Sequence, residues 1–168
     1  MRQSQLLLSN IIAILLTLIV ISCSVSDRPA TQTPDQVVKD AQTAFDDYIE
    51  SLNQGDYNSA SKIYDIDPGF HWIERGGIQY TSGAEAAASL QSFESSGGRA
   101  NMTIDQMVTT YLSPTSVFIS THFDFAMLGP DDGVQFAFDG WMSVAMVKKQ
   151  NRWVFAAGQV GPGRAETP

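Results

Sequence analysis

Two side chains able to move a proton stand two apart, at His122 and Asp124, in the run Ser120-Thr121-His122-Phe123-Asp124-Phe125. On an extended chain, residues two apart share a face. An imidazole beside a carboxylate is then a general base with its orienting partner, and an aspartate in an apolar cavity could itself abstract a proton. The same alternation permits a second reading. Ile119, Phe123 and Phe125 occupy the opposite side, and half-buried strands turn their apolar side inward. His122, Asp124 and Ser120 would then meet solvent or a second copy of the chain. The other histidine, His71, lies in Phe70-His71-Trp72-Ile73-Glu74. Glu74 shares a face with Trp72 and could be a pocket carboxylate, although a glutamate just before a Gly-Gly turn is commonly a solvated rim residue. Two histidines without ligand spacing give no metal signal. There is no glycine-rich phosphate loop and no nucleophile elbow, so no cofactor is expected.

The elements that must position these groups follow from periodicity. Thr33-Pro34-Asp35-Gln36 opens a helix with a capping residue, a proline in the first turn and a glutamine placed to close a capping box. Val37, Val38, Ala41, Phe45, Tyr48, Ile49 and Leu52 then recur at helical spacing up to a Gly55 cap. A second helix is expected over 56–64, burying Tyr57, Ala60 and Ile63. Phe70 to Arg75 alternates as a strand, Gly76-Gly77 is a two-residue hairpin signal, and Ile78 to Thr81 returns. Ser82-Gly83-Ala84-Glu85 starts a third helix through about Phe93. The second half has no helical period. Strands are expected at 102–112, 117–127, 134–149 and 152–160, with a tight turn at Gln150-Asn151. Helices followed by a long meander make an α+β pattern, and strands this long and apolar must curl or be covered.

The ends of the chain carry a different message. An apolar stretch from Leu6 to Ile21 follows Arg2 and ends in Val20-Ile21-Ser22-Cys23. It is shorter than the ~20 residues of a spanning helix and has the ordered regions of an export signal. Cys23 is the sole cysteine, and the arrangement resembles a bacterial lipoprotein signal in which that cysteine is acylated. The resemblance implies a signal peptide at 1–22 and a lipidated Cys23. The polar, aperiodic run with Pro29 reads as a flexible tether, giving 23–32 for the lipidated cysteine and tether. The domain is expected at 33–160, and the Gly/Pro-rich end at 161–168 reads as a flexible tail. The lipoprotein resemblance also implies a site on the cell envelope facing the periplasm. Ser24, being other than Asp, points to the outer membrane rather than the inner by the sorting rules of some Gram-negative bacteria. The formal net charge is −8, which argues against nucleic acid as a partner.

Four segments carry a further resemblance: Phe45-x-x-Tyr48-x-x-x-Leu52-x-x-Gly55-Asp56, the hairpin at Phe70–Glu74 with Gly76-Gly77, Tyr80 to Ala84, and Gly140-Trp141 through Arg152-Trp153. In the order helix, helix, hairpin, helix, four strands, residues 36–160 resemble the nuclear transport factor 2-like fold, with its SnoaL-like cyclases and ketosteroid isomerases. The resemblance implies three helices packed on a strongly curved antiparallel sheet, forming a cone-shaped α+β barrel with an open, mostly apolar pocket. It also implies possible homodimers through the convex face. Relatives often carry His and Ser near the end of the last strand, facing the pocket. The matching positions here are Ala157, Gln159 and Gly161, which leaves only Gln159 able to hydrogen-bond.

Within that frame Tyr48 and Gln159 are the expected polar anchors. Trp72, Tyr80, Phe123, Phe125 and Met142, with Phe136, Phe138 and Phe155, are expected to line or underlie the cavity, core packing being the alternative for most. The expectation is a lipid-anchored binder of a small apolar ligand or a dimeric interaction module. The alternative is a cofactor-free isomerase, cyclase or dehydratase using Asp124 or His122 for proton transfer.

Overall fold

The computed structural model describes residues 32–163. The expected signal segment, Cys23, nearly all of the tether and the last five residues lie outside the described residues. The elements are α1 (Pro34–Gln54), α2 (Tyr57–Ser61), β1 (His71–Glu74), β2 (Gly77–Tyr80), α3 (Gly83–Ser96), β3 (Arg99–Ser113), β4 (Ser116–Leu128), β5 (Val134–Lys149) and β6 (Arg152–Pro162). They form an α+β domain: helices against one six-stranded sheet of order β2-β1-β6-β5-β4-β3, curved and not closed on itself. β3 to β6 are an antiparallel meander, but β1 runs parallel to β6. The sheet is therefore mixed, where the sequence led us to expect it wholly antiparallel. The chain reaches β1 through α2 rather than through a hairpin, which frees its direction.

Helix α1 starts as its sequence directs. Thr33 Oγ1 accepts from Gln36 N at 3.3 Å. Gln36, however, donates its side-chain amide to Asp40 at 2.7 Å instead of reaching back to close a box. Gly55 ends the helix at φ 74°, a conformation that a side chain would resist. Val37, Ala41, Phe45, Tyr48, Ile49 and Leu52 form one buried stripe, as an amphipathic helix requires. It packs on the concave face of the sheet, where Ile119, Phe123, Met142, Met146 and Phe155 are fully buried.

Helix α2 is shorter than expected. Phe155 N donates to Ile63 O at 2.7 Å, and Asp65 N donates to Phe155 O at 3.0 Å. Those bonds satisfy β6 beyond the start of β1. Continuing the helix to residue 64 would leave the backbone groups of buried Phe155 without partners. The first hairpin also turns one residue earlier than the Gly-Gly signal implied. Arg75 and Gly76 take the two positive-φ positions and Gly77 enters β2 opposite Glu74.

Two of the five register shifts decide which side chains face inward. On β3, Ile104 pairs with Phe123 and Gln106 with His122, so Asp105 is extra. Ile104 and Met107 consequently both pack on the core although three apart. On β6, Phe155 pairs with Met146 and Ala157 with Ala145, so Ala156 is extra. Bulges of this kind bend a strand and increase its twist.

The free edge of β3 is covered from α1 and α2. Asn53 Nδ2 donates to Met102 O at 2.8 Å, and Met102 N donates to Asn53 Oδ1 at 2.6 Å. Tyr57 Oη donates to Gly98 O at 3.1 Å and accepts from Ala100 N at 3.0 Å. These side chains stand where another strand would otherwise pair, so they blunt the edge. Where β5 turns into β6, Lys149 Nζ donates to Asp65 at 2.6 Å and to Asp67 at 2.7 Å.

Candidate functional site

Between the helices and the concave sheet lies an open cavity of about 310 Å³. Its inner wall is a cluster of rings. Tyr48 meets Phe155 edge-on at 5.2 Å, Tyr64 meets Trp72 edge-on at 6.2 Å, and Trp72 stacks over Phe155 at 6.2 Å. Trp72 can lie there because residue 158 is glycine. A methyl group on Gly158 would overlap the indole ring. Its rim is built by the outer halves of β4 and β5, where Phe125 lies 5.3 Å from Phe138 and Phe136 stacks on Phe138. Phe136 is 49% exposed and Phe138 38%, so this rim is apolar and open to water.

Four tyrosine hydroxyls are among the polar groups of the wall. Tyr48 Oη lies 3.5 Å from Tyr64 Oη. Burial pushes the Tyr48 hydroxyl up to about 12. Tyr64 is also held well above the usual tyrosine value, by burial first and then by Tyr48. Both therefore stay protonated at neutral pH. Tyr80 Oη and Ser89 Oγ share a hydrogen bond of 2.7 Å that ties β2 to α3. Glu74, Arg75 and Gln79 complete the side of the cavity next to the first hairpin.

Of the residues singled out from sequence, Tyr48, Trp72, Tyr80, Phe123, Phe125 and Met142 line this cavity. Gln159 does not. It pairs with Ser143 and is exposed, on the face opposite to Val160, which does line the cavity. The extra residue at Ala156 inverts the alternation, so Gly158 and Val160 face inward where a strict period of two from Phe155 would place Ala157, Gln159 and Gly161. Tyr57 and Tyr64 are wall residues that the sequence did not single out as sites. Glu74, weighed in the sequence as a pocket carboxylate against a solvated rim residue, is on the wall. For Tyr64 the signal was hidden, because the residue was read as the end of a helix.

His122 and Asp124 project from the other, convex face. Thr121 and Phe123 are buried while Asp124 is exposed. His122 Nδ1 lies 2.9 Å from Asp105 Oδ1, and Nε2 lies 3.4 Å from Asp139 Oδ2. Trp141 stands edge-on to it at 5.4 Å. The partners of His122 are thus residues on the two neighbouring strands. The hydrogen bond to Asp105 and then the charges of Asp105 and Asp139 hold the imidazole above its usual value. Neither His122 nor Asp124 reaches the cavity, so proton transfer there by this pair is corrected by the geometry. Among the described residues, no three of His, Cys, Asp and Glu are grouped to hold a metal ion. None of the described helices is long and apolar enough to cross a membrane.

A cone of helices and bent sheet with an apolar mouth defines a recognised class of domain, and comparison with known proteins agrees. No family model matches the sequence, and no curated protein matches it. Solved structures do. A nuclear transport factor 2-like superfamily protein from Salmonella enterica has a TM-score of 0.67 at 11% identity, covering 80% of this chain and 96% of its own. A nuclear transport factor 2-like protein of unknown function from Shewanella oneidensis has a TM-score of 0.58 at 18% identity, covering 73% and 96%. A candidate scytalone dehydratase from Novosphingobium aromaticivorans has a TM-score of 0.61 at 11% identity, covering 74% and 83%. The chain has the nuclear transport factor 2-like fold.

Proposed function

We propose that this chain is a lipid-anchored protein of the bacterial cell envelope that holds a small apolar molecule in its cone. The observation that carries the reading is the open, ring-lined cavity with protonated tyrosine hydroxyls on its wall. Binding sites for small molecules are concave and mainly apolar, with few polar groups to orient the guest. The anchor rests on the Val20–Cys23 sequence, with Ser24 favouring the outer membrane. Several acyl chains hold a protein firmly where one does not. One of the structural neighbours is named as a candidate dehydratase, but fold alone carries no activity, and His122 and Asp124 face away from the cavity.

A second reading is favoured by a separate observation. On the convex face Val108 is 63% exposed, Leu112 56% and Trp141 45%, next to Phe118. A stripe of this kind is covered in a homodimer joined back to back. Such a dimer is compatible with a ligand in each cone.

Native mass spectrometry of protein extracted from its own membranes tests both readings. The expected spectrum contains a retained small molecule and an N-terminal Cys23 carrying acyl mass. An empty cone in every preparation, or an unmodified thiol at Cys23, would overturn the corresponding half of the reading. The stoichiometry in the same spectrum decides the dimer.

A further inference from the structure

Among the described residues the cavity wall carries one carboxylate, and no described side chain bonds to it. Glu74 ends β1 with its side chain on the cavity wall, half-buried. Among the described residues it has neither a hydrogen bond nor an ion pair. Of the other polar side chains on the wall, Arg75 and Gln79 are exposed to water, and the more buried ones are engaged. Tyr57 Oη donates to Gly98 O and accepts from Ala100 N. Tyr80 Oη is matched with Ser89 Oγ, and Tyr48 Oη faces Tyr64 Oη. Arg75, next in the chain, is exposed at the positive-φ turn and makes no ion pair with Glu74. The half-buried group left for a guest is therefore an acceptor, and an ionised carboxylate accepts without donating. A guest that buries Glu74 without supplying a donor leaves a polar group unsatisfied, which is unfavourable.

The surroundings narrow the donor further. The rings of Tyr64, Trp72 and Tyr80 line the same cavity, and ring faces attract cations. The formal net charge of −8 adds a long-range field of the same preference. An apolar body with a neutral hydroxyl would satisfy the carboxylate. An organic ammonium would satisfy the carboxylate, the ring faces and the field together.

Resting on the reading of the cone as a binding site, we infer that the ligand is an amphiphilic amine: an apolar body carrying an ammonium group that Glu74 receives. Glu74 is the specificity-determining residue, and the rim formed by Phe125, Phe136 and Phe138 takes the apolar body. Selectivity for charge thus comes from one side of the cavity and affinity for hydrocarbon from the other.

The test uses three probes of matched size: 4-phenylbutylammonium, which carries N–H donors, its uncharged carbon isostere pentylbenzene, and a phenylalkyl carboxylate of the same length. Binding to the full chain in nanodiscs of zwitterionic lipid is measured by equilibrium dialysis, with empty nanodiscs as reference. The ammonium is expected to bind about tenfold more tightly than the isostere, and the carboxylate more weakly than either. Glu74→Gln is expected to remove that tenfold preference while leaving the isostere within about twofold of the wild-type value. Retained binding of the isostere also shows that the variant is folded. Equal affinity for ammonium and isostere in the wild type, or loss of both probes equally in folded Glu74→Gln protein, overturns the inference and leaves the cone a binder of apolar molecules. Binding of none of the three probes overturns the inference and counts against the binding reading as well.

Discussion

Asp105 Oδ1 lies 2.9 Å from His122 Nδ1, and it reaches that position because it is the extra residue of a bulge. Ile104 and Gln106 pair with consecutive residues of β4, so Asp105 has no partner across the strand and leans over the imidazole. Asp139 approaches the other ring nitrogen from β5. Asp139 also stands directly opposite Asp124, so the imidazole of His122 lies beside a cross-strand pair of acidic residues.

His122 should therefore titrate above the ordinary histidine value, with Asp105 the larger cause. Its folded value is raised, so its contribution to stability is complete below the unfolded value and is lost as pH rises through the folded one. Proton NMR of the imidazole across pH 5 to 9 checks this. Asp105→Asn is expected to lower the midpoint more than Asp139→Asn does. A larger effect from Asp139→Asn would mean that the charge, not the short hydrogen bond, governs the ring.

Gly158→Ala should displace Trp72. The added methyl group overlaps the indole in the present geometry, and overpacking of a core costs about 1–3 kcal/mol. Urea unfolding and near-ultraviolet circular dichroism report the two consequences, a lower midpoint and an altered tryptophan environment. An unchanged midpoint would show that the cavity wall yields without strain.

Asn53→Ala should open the edge of β3. It removes both hydrogen bonds to buried Met102, and a buried polar group left unpaired costs about 1–3 kcal/mol. Amide exchange at Met102 should accelerate relative to its neighbours, and the protein should associate more readily at high concentration. Protection at Met102 equal to that of the wild type would mean that water replaces the side chain at no cost.

Tyr48 sets an alkaline limit. Its hydroxyl is raised to about 12 by burial, above the value of about 10 in the unfolded chain. Stability is complete below pH 10 and falls as pH rises from there toward 12, because only the unfolded state ionises in that window. Two pH units correspond to about 2–3 kcal/mol for this group. Tyr48→Phe is expected to flatten the fall, seen as a smaller loss of unfolding free energy between pH 10 and 11.5. An identical slope in the variant would place the alkaline sensitivity elsewhere.

Much of this domain is written locally. The Thr33 cap, the Gly55 stop, the Ser82 cap and the positive-φ turn at Gln150-Asn151 each depend on residues a few positions apart, and a linear reading finds them. The alternation in β4 likewise puts Phe123 inside and Asp124 outside without reference to the rest of the chain. That alternation also made the outward placement of His122 legible.

What the sequence determined by itself is the set of elements, their order and the apolar side of the unbulged ones such as α1 and β4, because these depend on backbone preference and on spacing within one segment. Only the tertiary structure decided which side chains meet. Gln159 left the cavity because one added residue at Ala156 reverses the phase of β6. Asp105 found His122 because a bulge on another strand turned it there. Tyr64 joined the wall because β6 needed backbone partners more than α2 needed another turn. A bulge is a response to strain and hydrogen bonding across neighbouring strands, so its position follows from contacts distant in the chain and leaves no mark in the local pattern.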